Sequence, residues 1–156
     1  MSHPETAPAD ATARYRSVFA PGLFSGQVVW VTGGGSGIGR CVAHELASLG
    51  ATVVVSGRTQ EKLERVAAEI AADGGRCEIA AFDIRDDDAV KAAVGQVVAR
   101  HGAINGLVNN AGGQFPSPLM AISKRGFDAV VANNLTGGFL MMREVFNQSM
   151  QKHGGS

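Results

Sequence analysis

Apolar positions along this chain fall into two repeating patterns. Val28-Val29-Trp30-Val31 is a short, largely β-branched run, the pattern of a strand buried on both faces. It ends in Thr32-Gly33-Gly34-Gly35-Ser36-Gly37-Ile38-Gly39, and a helical pattern starts at once. Ile38, Val42, Leu46 and Leu49 recur at spacings of four, four and three and predict one buried face. Gly50 closes that helix as the glycine after its C-cap. Thr52 to Ser56 predicts a second buried strand, and Gly57-Arg58-Thr59 a turn. Thr59 is placed to cap a second helix, in which Leu63, Val66, Ala67 and Ile70 keep helical spacing up to Asp73-Gly74-Gly75. Cys77 to Phe82 predicts a third strand, ending at Asp83. Asp86 caps a third helix, faced by Val90, Val94, Val97 and Val98, with Asp87 and Asp88 favourable at its positive end. Leu107-Val108 predicts a short fourth strand before Asn109-Asn110-Ala111-Gly112-Gly113. A loop with Pro116 and Pro118 leads to a fourth helix from near Ser123 to about Met150.

The order is β-α-β-α-β-α-β-α, which predicts an α/β fold, a Rossmann-type doubly wound parallel sheet with helices on both faces. Residues 1–13, rich in Ala, Pro, Thr and acid and without a period, predict a disordered tail. Residues 15–26 carry the turn signals Pro21-Gly22 and Ser25-Gly26 and are expected to pack over the domain edge. In such sheets ligands bind beyond the C-terminal ends of the strands. The glycine turn, Arg58, Asp83 and Asn110 all fall at that rim.

Strand, glycine turn and helix make a phosphate site by simple physics. Glycine lets the backbone turn tightly and approach an anion, and the helix N-terminus offers unpaired N–H groups and a positive dipole end. The spacing here is T-G-x-x-x-G-x-G. It does not fit G-x-G-x-x-G, and Ile38 breaks the nucleophile elbow G-x-S-x-G around Ser36. Gly34 to Gly39 approaches the phosphate loop of nucleotide triphosphatases, but Arg40 replaces its lysine and Cys41 its Mg²⁺-binding hydroxyl. At the end of strand two, where an NAD site usually holds an acid for the ribose 2′-OH, stands Gly57, followed by Arg58. A guanidinium there suits a 2′-phosphate, so NADP(H) is the expected cofactor.

Composition removes other classes. Fourteen Lys and Arg balance 14 Asp and Glu, which gives no electrostatic support for nucleic acid or an anionic membrane. No apolar run approaches a membrane span and the N-terminus has no apolar signal core. Cys41 and Cys77 form no disulfide framework and read as small buried residues, with a cytoplasmic setting as the default. His3, His44, His101 and His153 lack ligand spacing and read as surface residues, so no metal is expected.

With these residues in place the chain resembles the short-chain dehydrogenase/reductase family. The matching pieces are Thr32 to Gly39, Asp83-Ile84, Asn109-Asn110-Ala111-Gly112 and Asn134-Leu135-Thr136-Gly137. Residues 15–26 and Gly112-Gly113-Gln114-Phe115 look like the peroxisomal trans-2-enoyl-CoA reductase branch, with 2,4-dienoyl-CoA reductases as neighbours. The resemblance implies an NADP(H)-dependent oxidoreductase moving a hydride to an enoyl-CoA or carbonyl substrate, homo-oligomeric in full length. It implies that residues 14–156 are the N-terminal part of one dinucleotide-binding domain, cut after the fourth strand and its helix. Thr32, Gly33, Gly35, Ser36, Gly37, Ile38 and Gly39 would hold pyrophosphate and ribose. Asp83 and Ile84 would flank the adenine, and Asn110, Ala111 and Gly112 the nicotinamide side.

Asn134 matches the family's asparagine that helps hold a water in the proton relay. It also continues the apolar face of Phe127, Val130 and Val131, which predicts a buried amide in need of partners. Its neighbour Asn133 is expected to point away. The family's catalytic serine and Tyr-x-x-x-Lys are absent: the single tyrosine is Tyr15, followed four residues later by Phe19. A non-catalytic NADP(H)-binding module is therefore the rival reading.

Overall fold

The computed structural model describes residues 17–156. The expected tail, Tyr15 and His3 lie outside the described residues. Four parallel strands, β1 (Val28–Thr32), β2 (Thr52–Gly57), β3 (Arg76–Ala81) and β4 (Gly106–Val108), form one sheet in the order β3-β2-β1-β4. The chain steps outward from β1 to β3 and then returns to the other side of β1. That reversal opens a crevice above the C-terminal ends of β1 and β4.

Strand alternation builds two cores. Val28, Trp30 and Val54 face helix α3 (Asp87–His101) and the last helical segment, and pack with Val90, Val94, Ile104 and Met141. Val29, Val31, Val53 and Val55 face α1 (Gly37–Ser48) and α2 (Gln60–Ala72), and pack with Ala43, Ala47, Leu63, Val66 and Ile70. Burying both faces explains the unbroken apolar runs of β1 and β2. Trp30 is fully buried because its indole N–H finds a partner, donating to Ser56 Oγ at 2.9 Å.

Helix α1 buries its expected face only in part, Leu49 at its end being buried but Ile38 at its start not. Gly39, Ala43, His44 and Ala47 are buried, Val42 and Leu46 are half-buried, and Ile38 is 77% exposed. Small residues at spacings of four let the helix lie close to the sheet, so backbone proximity rather than side-chain bulk sets its orientation. Helices α2 and α3 bury Leu63, Val66 and Ile70, and Val90, Val94 and Val97, as their periods require. Asp86 caps α3 by accepting from Ala89 N–H at 3.1 Å, whereas Thr59 sits at the N-cap of α2 without making the capping bond.

The last helix is continuous from Lys124 to His153 but not uniform. Segments α4 (Lys124–Val131), α5 (Gly137–Val145) and α6 (Gln151–His153) are separated by π-helical turns at Ala132–Thr136 and Phe146–Met150. Ser123 caps it, accepting from Gly126 N–H at 3.1 Å. Its inward residues include Gly137, Leu140, Met141, Val145 and Ser149, while Leu135, Phe139, Met142 and Phe146 form an exposed apolar stripe. Ser156 lies beside β4, its N–H donating to Asn105 O at 3.0 Å and its carbonyl accepting from Leu107 N–H at 2.8 Å. The outer edge of β4 is thus partly paired. Within residues 17–26, Phe24 N–H donates to Leu49 O at 3.0 Å, which ties this arm to the end of α1 as expected.

Candidate cofactor site

A cleft of about 360 Å³ opens over the strand ends at the switch point. The loops after β1, β2, β3 and β4 all reach it. Of the expected site residues, Gly33, Gly35, Ser36, Ile38, Gly39, Arg58, Asp83, Ile84, Asn110, Ala111 and Gly112 line it; Thr32, Gly37 and Asn134 do not. Residues that periodicity scattered over 80 positions thus share one wall system because every β-to-α turn ends at the same rim.

The glycines of the turn divide into two kinds. A Cβ on Gly39 would stand 2.4 Å from Asn110 Nδ2 and 2.5 Å from Gly33 O, so this glycine lets α1 close onto the β4 loop. Gly37 has no such neighbour: a Cβ there would meet nothing within 4 Å, yet its φ is +54°. Its freedom serves the open side of the turn, where a ligand would lie. Ser36 is the N-cap of α1 without a side-chain capping bond, and the first turn carries no acid. Its leading N–H groups are therefore free to face an anion.

Thr32 and Asn110 hold the site together, Thr32 from beneath it and Asn110 from its wall. Thr32 is buried, and its Oγ1 accepts from Asn110 N–H and Ala111 N–H, both at 3.0 Å, while donating to Val108 O at 3.3 Å. Asn110 Nδ2 donates to Thr32 O at 2.9 Å and to Gly33 O at 3.3 Å. Both donors of this amide point into the protein backbone, so Asn110 fixes the spacing between the glycine turn and the β4 loop.

The charges at the rim are unequally committed. Arg40 Nε pairs with Glu69 Oε2 at 2.7 Å and holds that carboxyl below its usual range. Arg85 pairs with Asp83 at 2.5 Å and, as the largest cause, lowers the Asp83 pKa to about 2; Arg58 adds a smaller electrostatic pull. Arg58 has no ion pair among the described residues. A depressed carboxylate stabilises the fold above its unfolded pKa of about 3.8 and loses that contribution as pH falls through about 2. Asp83→Asn is accordingly expected to flatten the acid limb of stability between pH 4 and 2 relative to the parent. Paired pH-dependent melts measure this, and superimposable acid limbs would contradict it.

Several expectations are corrected. His44 is buried, not a surface residue, with Nε2 3.2 Å from Glu69 Oε2 and Nδ1 3.8 Å from Asp73 Oδ2. His101 is partly buried against Glu78 at 2.9 Å. Both carboxylates come from a neighbouring element, which no local spacing reveals. Cys41 is exposed rather than buried, because α1 turns its glycine and alanines inward. Cys77 is half-buried, and burial pushes its thiol up to about 12. Among the described residues no three His, Cys, Asp or Glu side chains converge to hold a metal.

The two asparagines of the last helix exchange expected roles. Asn134 is exposed, yet its amide donates to Gly113 O at 2.7 Å and Val130 O at 2.8 Å and accepts from Gly113 N–H at 3.2 Å. It clamps the Gly112-Gly113 loop. Asn133 is the more buried of the two and lines the cleft. The π turn over Ala132–Thr136 rotates this pair relative to a regular helix. Phe127, the start of the expected apolar face, is 60% exposed. Asn133, Phe82, Thr59 and Lys62 were missed as cleft residues. Only Lys62 had a local signal, four residues after Arg58.

A parallel sheet with a glycine turn and an uncapped helix at its switch point defines a Rossmann-type nucleotide-binding architecture. Comparison with known proteins narrows this class. The short chain dehydrogenase family matches residues 27–156, and the chain belongs to that family. The peroxisomal 2,4-dienoyl-CoA reductase of Danio rerio is 33% identical over 92% of this chain. It represents the neighbouring group within the expected branch. The chain spans 48% of the length of that relative. Among solved structures, a citronellol catabolism dehydrogenase of Pseudomonas aeruginosa PAO1 is 60% identical, with a TM-score of 0.87 over 90% of this chain and 58% of its own. A metagenomic short-chain oxidoreductase in complex with NADP is 42% identical, with a TM-score of 0.79 over 85% of this chain and 60% of its own.

Proposed function

We propose that this chain is the cofactor-binding part of an NADP(H)-dependent oxidoreductase that transfers hydride to an enoyl-CoA or carbonyl substrate. The carrying observation is the β2 corner of the cleft, where Gly57 stands in place of an acid and Arg58 beside it has no ion pair among the described residues. The residues fit the cofactor: Gly37 leaves open space at the head of α1, and the N–H groups of that helix lack a cap. Ser36, Gly37 and Ile38 would hold the pyrophosphate, Arg58 the 2′-phosphate, and Asp83 and Ile84 the adenine. Asn110, through its bonds to Thr32 and Gly33, keeps Ala111 and Gly112 in place for the nicotinamide-side ribose. When bound, the nicotinamide supplies or accepts the hydride. One lone pair of Asn134 Oδ1 is left for a water in the proton relay.

A relative named for a 2,4-dienoyl-CoA substrate and another named for citronellol catabolism both support a substrate with an unsaturated carbon chain, an acyl-CoA among them. Homo-oligomerisation is part of this reading and is supported by the exposed stripe of Leu135, Phe139, Met142 and Phe146. No helix among the described residues is long and apolar enough to cross a membrane. The cytoplasmic expectation rests on the free thiols of Cys41 and Cys77; the peroxisomal location belongs to the named relative.

The cofactor choice is tested by Gly57→Asp combined with Arg58→Leu. The added carboxylate accepts from a 2′-OH and repels a 2′-phosphate, so the pair is expected to reverse the preference toward NAD(H). Fluorescence titrations with NADPH and NADH read the result. Tighter NADH than NADPH binding by the unsubstituted protein would contradict the proposal.

A further inference from the structure

We propose that the seam between α1 and α2, at the end of α1 far from the glycine turn, binds a small primary ammonium ion, held by His44, Asp73 and Ser48. A cleft of about 160 Å³ opens there, less than half the size of the cofactor cleft and sharing no lining residue with it. His44, Ser48 and Asp73 line it together with the apolar Ala47 and Ile70. Both helices lie on one face of a parallel sheet, so they run side by side and their C-terminal ends reach this seam together.

The bonds already made decide what the seam can still take. His44 is buried, and its Nε2 stands 3.2 Å from Glu69 Oε2. Arg40 holds that carboxyl below its usual range, so Glu69 is ionised and can only accept. Nε2 is therefore the donor, and in a neutral imidazole Nδ1 is then an acceptor. Nδ1 faces Asp73 Oδ2 across 3.8 Å. Two acceptors thus stand side by side, and a group with several N–H donors placed beside them serves both. Ser48 supplies a third acceptor. Its hydroxyl hydrogen goes to Glu45 O at 2.7 Å, which leaves lone pairs on its oxygen.

Charge points to the same ligand. Arg40 balances Glu69 at 2.7 Å, whereas the ion-pair contact of Asp73 among the described residues is with His44, which is counted neutral at pH 7. Neither helix has a basic residue in its last turn, so neither offsets its own negative dipole end. A primary ammonium brings one positive charge and three donors, which match one carboxylate and three acceptors. A metal ion fits less well, since no three His, Cys, Asp or Glu side chains converge among the described residues. Ala47 and Ile70 offer apolar surface to a short alkyl stem. Gly74, at φ +84°, leaves the mouth open, because a Cβ there would meet no packed neighbour within 4 Å.

The test titrates butylammonium chloride into isotope-labelled protein near neutral pH, at constant ionic strength, and follows the backbone amide NMR signals. Tetramethylammonium, a cation without N–H donors, and butan-1-ol, a neutral molecule with the same stem, are the controls. Butylammonium is expected to shift the Ser48, Gly74 and Gly75 amides saturably, and the two controls to leave them unmoved. Asp73→Asn should weaken this binding by about tenfold or more, the scale of a charge-assisted hydrogen bond. Ser48→Ala should weaken it by a smaller factor, and thermal melts confirm both folds. Ring nitrogen signals should show His44 as the neutral form with its hydrogen on Nε2. An imidazolium at that position, shifts of equal size with either control, or undiminished affinity in either variant would each overturn the inference.

Discussion

Replacing Gly37 by valine is expected to remove most cofactor affinity, by about a hundredfold or more, which corresponds to roughly 2.7 kcal/mol. Two effects combine. The residue stands at φ +54°, where a β-branched side chain is strained. Its Cβ also projects into open space between Ser36 and Ile38, on the side where the proposed pyrophosphate would meet the uncapped N–H groups of α1. Because, among the described residues and apart from its own chain neighbours and helix backbone, nothing lies within 4 Å of that Cβ, the substitution meets no packed neighbour, unlike one at Gly39. The loss should therefore be larger in binding than in stability. NADPH fluorescence titration reads the affinity, and circular dichroism confirms the fold. Affinity equal to that of the unsubstituted protein would remove Gly37 and its turn from the phosphate site.

The 156-residue chain alone is expected to oxidise NADPH no faster than background with any enoyl-CoA or ketone. Hydride transfer leaves negative charge on the substrate, which needs a positioned acid or donor. Among the described cleft residues the cationic donors, Arg58 and Lys62, stand at the β2 corner, with β1 between them and the Ala111–Gly112 loop after β4. Asp83 is ionised and paired with Arg85, and its pKa lies near 2. Asn133 and Asn134 are amides, and both hydrogens of the Asn134 amide are already given to Gly113 O and Val130 O. The single tyrosine, Tyr15, has Phe19 where a partner lysine would stand. An NADPH-absorbance assay with crotonyl-CoA and a panel of ketones tests this. Substrate-dependent oxidation that persists in Tyr15→Phe would show that another group on this chain acts as the acid.

The α/β class, the four strands, the glycine turn and the rim location of Arg58, Asp83 and Asn110 were legible in the sequence. Each follows from local rules: β-branched runs for doubly buried strands, helical spacing in α2 and α3, and glycine and Asx residues at turns. Local spacing could not show which way a helix faces when its bulk and its contact side differ. Helix α1 presents Gly39, Ala43 and Ala47 to the sheet because close approach outweighs the larger Ile38 and Val42. Nor could spacing place a π turn, which adds a residue to the helix and carries Asn133, rather than Asn134, to the cleft wall. Partners distant in sequence were equally hidden: Glu69 beside His44 and Arg40, Glu78 beside His101, and the Thr32–Asn110 clamp that joins β1 to the β4 loop. The sequence by itself determined which segments form and where the glycine turn lies, because those depend on neighbours within a few residues. Tertiary packing decided which side chains the cleft receives and which charges stay free, because those depend on groups that only the folded sheet brings within hydrogen-bonding distance.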